Sequence, residues 1–162
     1  MGMDLLRGDE TPEEIIILAY GMEEGLGQFY SAIAEDTEDS EVSNMLTELA
    51  EIEKNHKQRL LGLYITLNQA STDKEAFETK IVSKVMEGGF TTEEFLEKNR
   101  PAMQTVPDVL NVAMMLETQA LDLYSRYSQK IKDDEGKTIL YEIADEEKAH
   151  LASLGQLMET RV

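Results

Sequence analysis

Two histidines occur in 162 residues, and each follows a glutamate by three positions: Glu53-Lys54-Asn55-His56 and Glu147-Lys148-Ala149-His150. On an α-helix a three-residue step sets both side chains on one face, about 4.5 Å apart along the axis. A carboxylate and an imidazole so placed can hold one cation between them. Thirty residues ahead of each of these glutamates stands another, Glu23 before Glu53 and Glu117 before Glu147. Seven residues after each of those comes a tyrosine, Tyr30 and Tyr124. One chemistry-bearing constellation is therefore written twice.

The two copies keep an offset of 94 residues through Glu23/Glu117, Tyr30/Tyr124, Glu53/Glu147 and His56/His150, with no gap inside either half. Neighbours agree as well: the octapeptide from Leu49 to His56 aligns with that from Ile143 to His150, and Leu60 and Leu63 meet Leu154 and Leu157. The halves are an internal repeat. A lone Glu-x-x-His on a soluble helix is usually a solvated face; two copies in register point to metal ligation.

Four carboxylates and two imidazoles gathered inside a bundle require cations, because an unpaired buried charge costs several kcal/mol and the groups would otherwise take up protons. Two divalent metals would neutralise them. The arrangement that follows gives each metal one terminal carboxylate and one histidine, with Glu53 and Glu147 bridging and positions left open for oxygen ligands. Mixed oxygen and nitrogen donors with open positions suit iron or manganese, and zinc also binds such a set by affinity. Tyr30 and Tyr124, two turns beyond their glutamates, are expected to donate hydrogen bonds to ligating carboxylates. Glu24, Glu51, Asp145 and Glu146 point elsewhere on their helices and are expected to face solvent or to support the ligands from outside. Lys54, Lys57 and Arg59 are expected on the outer face, and Met114 and Met115 in bundle packing.

The elements that must position these residues are four long helices. Thr11-Pro12-Glu13-Glu14 opens the first with a capping box and a proline at the first helical position, and the helix runs to about Glu35. The second starts near Asp39 or Ser40 and reaches about Leu67, with Met45, Leu49, Ile52, Leu60 and Leu63 on or near its apolar stripe. The third runs from near Pro107 to about Ile131, and the fourth from Asp133 or Asp134 to about Glu159. Between the second and third lie about forty residues: a helix expected over 72–86, a Gly88-Gly89 break and a short helix over Thr92 to Asn99. So long a connection suits a crossover that returns the third helix in the same sense as one of the first pair.

Composition sets limits on function. With 15 basic and 33 acidic residues the net charge is −18, which argues against nucleic acid or an anionic membrane as partner. The longest apolar run, Ile15 to Tyr20, is far short of the roughly 20 residues of a membrane span. The acidic start lacks the marks of a signal peptide, so a cytoplasmic protein is expected, one domain over 1–162 with 1–10 an extended N-terminal segment. The absence of cysteine excludes disulfides, thiol catalysis and thiolate-bound metal centres, so electrons must come from an external donor.

The order Glu-x6-Tyr, Glu-x-x-His, Glu-x6-Tyr, Glu-x-x-His resembles the rubrerythrin branch of the ferritin-like superfamily over about Thr11 to Glu159, and its six-ligand set is the one known for ferritin-like di-metal carboxylate proteins. The resemblance implies an all-α, ferritin-like four-helix bundle with a long crossover, carrying extra short helices, between helices two and three. It implies two iron ions held by Glu23, Glu53, His56, Glu117, Glu147 and His150, no catalytic group beyond these ligands, and reaction with peroxide or dioxygen, often in a homodimer. Zinc and manganese remain alternatives. Two departures bear on function: no cysteine-ligated rubredoxin domain is present, and the family's additional glutamate three residues after the third-helix ligand is Ala120 here. A more symmetric site follows, suited to oxygen chemistry, ferrous iron oxidation or plain metal holding. The reading is a di-iron oxidoreductase of peroxidase or ferroxidase type, with a non-catalytic bundle holding zinc or iron as the alternative.

Overall fold

The helix starts are written locally. Thr11 Oγ1 accepts from the Glu14 amide at 3.2 Å while the Glu14 carboxylate accepts from the Thr11 amide at 3.1 Å, with Pro12 in the first turn. Thr105, Pro107 and Asp108 repeat the device at 3.2 and 3.1 Å. Asp39 caps a third start by accepting from the Glu41 and Val42 amides, and Asp133 a fourth by accepting from Gly136 at 2.7 Å. Each cap satisfies amides that have no partner in the first turn.

The computed structural model describes residues 10–68 and 92–162. Five α-helices and no strand occur among them: α1 (Pro12–Asp36), α2 (Ser40–Asn68), α3 (Thr92–Asn99), α4 (Val106–Lys130) and α5 (Asp134–Glu159), with a 3-10 turn at Arg100–Ala102. The long helices end within a residue of their expected bounds. The helix expected over 72–86, the Gly88-Gly89 break and nearly all of the N-terminal segment lie outside the described residues. No helix among those described is long and apolar enough to cross a membrane.

Helices α1 and α2 form one hairpin and α4 and α5 the other. The relative sense of the hairpins follows from contacts between them. Tyr30 reaches Glu117 and Tyr124 reaches Glu23, so rising numbers on α1 meet falling numbers on α4, and the two run antiparallel. Glu53 with His150 and His56 with Glu147 give the same result for α2 and α5. Helix α4 therefore runs in the sense of α2, which a short loop from the end of α2 could not achieve and a crossover can.

Apolar stripes of all four long helices close the core, with Leu26, Phe29, Leu46, Leu60, Leu110, Leu140 and Leu154 almost fully buried. Full burial of each such side chain contributes about 1.5–3 kcal/mol. Helix α3 adds Phe95, set edge-on to Phe29 with ring centroids 5.8 Å apart. At the far end Arg161 forks onto both Asp39 carboxylate oxygens at 3.1 Å, fastening the end of α5 to the start of α2. Replacing Thr105 by alanine removes one capping box and is expected to cost about 1 kcal/mol in urea unfolding while leaving metal content unchanged. A matching loss of metal would show that the start of α4 is coupled to the centre of the bundle.

Candidate metal centre

Inside this apolar core lie six ionisable side chains. Glu23 comes from α1, Glu53 and His56 from α2, Glu117 from α4, and Glu147 and His150 from α5; five have no exposed surface and His150 is 6% exposed. They occupy inward positions of the same stripes that carry the core leucines, so the packing that buries Leu26, Leu60 and Leu154 buries them too.

Their donor atoms form two overlapping groups, Glu23–Glu53–His56–Glu147 and Glu53–Glu117–Glu147–His150, each with all its atoms within 4.8 Å of one another. Glu53 and Glu147 belong to both. His56 Nδ1 lies 3.0 Å from Glu147, 3.1 Å from Glu53 and 3.5 Å from Glu23. His150 Nδ1 lies 3.4 Å from Glu147, 3.5 Å from Glu117 and 3.7 Å from Glu53. Few of these contacts are aligned as hydrogen bonds. Among the described residues, every buried side-chain nitrogen or oxygen without a hydrogen-bond partner belongs to these six, seven atoms in all: Glu23 Oε2, Glu53 Oε1, His56 Nε2, Glu117 Oε2, both Glu147 oxygens and His150 Nδ1. Buried polar atoms are rarely left so, and lone pairs that converge without pairing are the arrangement cations complete.

The two tyrosines reach across the bundle. Tyr30 donates to Glu117 at 2.6 Å and Tyr124 donates to Glu23, so each steadies the glutamate of the opposite hairpin and not the one on its own helix. Burial, reinforced by the neighbouring carboxylates, holds both phenols well above their usual value and keeps them protonated as donors.

One support could not be placed from the sequence. Arg59 is not on the outer face with Lys54: its guanidinium bridges from α2 to α5, 2.5 Å from Glu146 and 2.7 Å from Glu142. The same Glu146 oxygen stands 3.3 Å from His56 Nε2, the ring nitrogen turned away from the cluster. The available signal was spacing: Arg59 lies three residues beyond His56, and Glu142 and Glu146 share a face of the facing helix. The internal repeat breaks here, because the positions equivalent to Glu146 and Arg59 are Ile52 and Ser153. Glu51 and Asp145 are exposed, as expected of solvent-facing positions.

The electrostatics fix how the cation-free protein responds to pH. Burial, then the charge of Glu23, pushes Glu147 up to about 8, and the same two causes raise Glu53. Burial would lower His150, but the Glu117 and Glu147 carboxylates beside its ring outweigh this and raise it to about 9. Glu117 moves the other way: burial opposes, but the adjacent Glu147 carboxyl and His150 ring, with the Tyr30 hydroxyl, hold it low. A raised group contributes stability below its unfolded-state value and loses it as pH rises through its folded-state value. The chelator-treated protein is therefore expected to lose thermal stability steadily from about pH 5 to about pH 9, with Glu147 and His150 both giving up their protons on the way. Melting curves at intervals across that range would check it, and a flat or rising profile would contradict the cluster's protonation.

A family model described as Rubrerythrin matches residues 14–158. The chain belongs to the rubrerythrin family. A solved structure of a hypothetical protein from Pyrococcus furiosus shares the fold, with a TM-score of 0.73 and 25% identity over 94% of this chain and 91% of that one. No functionally curated protein matches the sequence. The all-α, ferritin-like bundle read from the sequence is the one observed. Rubrerythrin membership and the buried carboxylate and histidine cluster together suggest a di-metal site.

Proposed function

We propose that Glu23, Glu53, His56 and Glu147 hold one divalent ion and that Glu53, Glu117, Glu147 and His150 hold a second, with Glu53 and Glu147 shared. With iron in both places the protein is an oxidoreductase that reacts with peroxide or dioxygen, or that oxidises ferrous iron. The observation that carries this reading is the set of seven orphaned atoms among the described residues, all on the six residues whose donor atoms form the two groups. Four carboxylates balance two divalent charges with both imidazoles neutral, and oxygen-rich sets with two histidines favour iron or manganese.

Bound iron supplies electrons and Lewis acidity to an oxidant. The chain supplies the rest. Tyr30 and Tyr124 hold Glu117 and Glu23 in place from the opposite hairpin, so neither carboxylate can swing without breaking a buried hydrogen bond. Arg59 holds Glu146, and Glu146 can receive the Nε2 proton of His56, which leaves Nδ1 free to face the cluster. The surrounding leucines exclude bulk water and strengthen each of these interactions. Electrons for repeated turnover come from another protein or domain, since these 162 residues contain no cysteine for an iron–sulfur or rubredoxin centre.

One observation favours a second reading, a bundle that holds zinc or iron without redox work: Ala120, fully buried, offers no extra carboxylate to the α4 side of the cluster. Elemental analysis of protein purified without chelators, with absorption spectra after anaerobic ferrous loading and exposure to peroxide or air, separates the two. About two irons per chain and an oxidant-dependent oxo-bridge band are expected. Stoichiometric zinc with no redox-sensitive band would establish the second reading, and protein that takes up no metal would end both.

A further inference from the structure

We propose that the two metal positions hold their ions unequally: the ion of the Glu23, Glu53, His56 and Glu147 group is retained, and that of the Glu53, Glu117, Glu147 and His150 group exchanges with solution. This deepens the metal-binding reading above and rests on it. Glu53 and Glu147 are common to both groups, and each of the other two glutamates accepts from one tyrosine, so these residues do not tell the positions apart. The histidines do, in three separate ways.

The first is convergence. His56 Nδ1 stands 3.0, 3.1 and 3.5 Å from its three carboxylates, and His150 Nδ1 stands 3.4, 3.5 and 3.7 Å from its own. Donors already drawn together need less rearrangement to close on a cation, which favours the His56 group. The second is cover. His56 has no exposed surface, whereas His150 keeps 6%, alone among the six cluster residues. Water that touches an imidazole edge can take the place of its outward contacts as the ring swings away, and a ring sealed in the core has no such route. The third is what holds the ring from behind. Glu146 stands 3.3 Å from His56 Nε2, and Arg59, 2.5 Å from Glu146, ties that carboxylate to α2. Every ion-pair contact of His150 runs from Nδ1 towards the cluster, and among the described residues no carboxylate pairs with its Nε2. The internal repeat gives the reason, since Ile52 and the exposed Ser153 stand where a second Glu146 and Arg59 would be. An outer partner of this kind typically changes metal affinity about 10–100-fold. All three differences have the same sign. When metal is scarce the chain therefore carries one ion, beside His56, and the second comes and goes beside His150.

The test uses the whole chain loaded with two equivalents of cobalt(II), freed of excess metal and challenged with EDTA. Cobalt release is followed by absorption and by elemental analysis of the recovered protein. Two phases of one cobalt each are expected, the slow one at least about tenfold slower than the fast. Glu23→Gln and Glu117→Gln assign them, because each removes a charged donor from one group only. Glu117→Gln is expected to speed or remove the fast phase and spare the slow one, and Glu23→Gln to do the reverse. Glu146→Ala, at a side chain 45% exposed, should speed the slow phase at least about tenfold and spare the fast one; it decides alone if both glutamine variants bind no cobalt. Two cobalt ions that leave the unsubstituted protein together, a slow phase that answers to Glu117→Gln instead of Glu23→Gln, or a slow phase untouched by Glu146→Ala overturns the inference and leaves the metal-binding reading standing. Failure of the unsubstituted protein to bind cobalt overturns both.

Discussion

Replacing Glu53 or Glu147 by alanine is expected to abolish turnover of peroxide or oxygen, because each of these carboxylates belongs to both donor groups. Loss of Glu23 or Glu117 removes an oxygen from one group only. Elemental analysis should find both metal positions impaired in the Glu53 and Glu147 variants. The same substitutions should act with opposite sign on the cation-free protein. There Glu147 is a buried carboxylate with two unpartnered oxygens, pushed up to about 8 chiefly by burial. At alkaline pH Glu147 is a charge buried beside three other carboxylates, and removing it relieves its desolvation and their mutual repulsion. Glu147→Ala is therefore expected to melt above the unsubstituted protein in chelator at alkaline pH, and below it when metal is present. Unchanged metal content and turnover in both variants would remove the site assignment.

Replacing Glu146 by alanine is expected to weaken one of the two metals about 10–100-fold and to spare the other, the range typical when the outer partner of a ligating histidine is removed. The asymmetry follows from the repeat. His56 has a carboxylate 3.3 Å from its outward nitrogen, and Arg59 holds that carboxylate at 2.5 Å. His150 has no counterpart to either residue in sequence, since Ile52 and Ser153 stand there. For His56 to offer Nδ1 to a metal, its proton must sit on Nε2, and Glu146 is the group placed to receive it. Competition titration against a chromophoric chelator resolves the two affinities. Equal weakening at both positions, or none, would show that Glu146 serves only the ion pair with Arg59. Loss of Arg59 should produce the same one-sided effect at smaller size, because Glu146 then remains but is free to turn to solvent.

Much of this protein is legible in its sequence, for identifiable reasons. The capping boxes at Thr11 and Thr105 and the cap at Asp133 are local events, set by neighbours three residues away, and helix ends follow directly from them. The six cluster residues were marked by a spacing that helical periodicity turns into a shared face, and by its recurrence at a fixed offset. Burial of the six follows from the leucine stripes they interrupt.

Other features depend on how the hairpins dock. Which glutamate each tyrosine holds is a contact between α1 and α4, more than eighty residues apart, and it runs to the opposite hairpin. The inward turn of Arg59 and the placement of Glu146 behind His56 depend on the register of α2 against α5. A cleft between α1 and α2, lined in part by Gly27, is a space between helices, which no residue announces alone. By itself the sequence determined the helices, the repeat and the identity of the six converging residues, because these rest on periodicity and short-range hydrogen bonds. The tertiary structure alone decided the cross-hairpin partners, the one-sided support of His56 and the cleft between α1 and α2, because register and the space left between packed helices are properties of side chains brought together from distant parts of the chain.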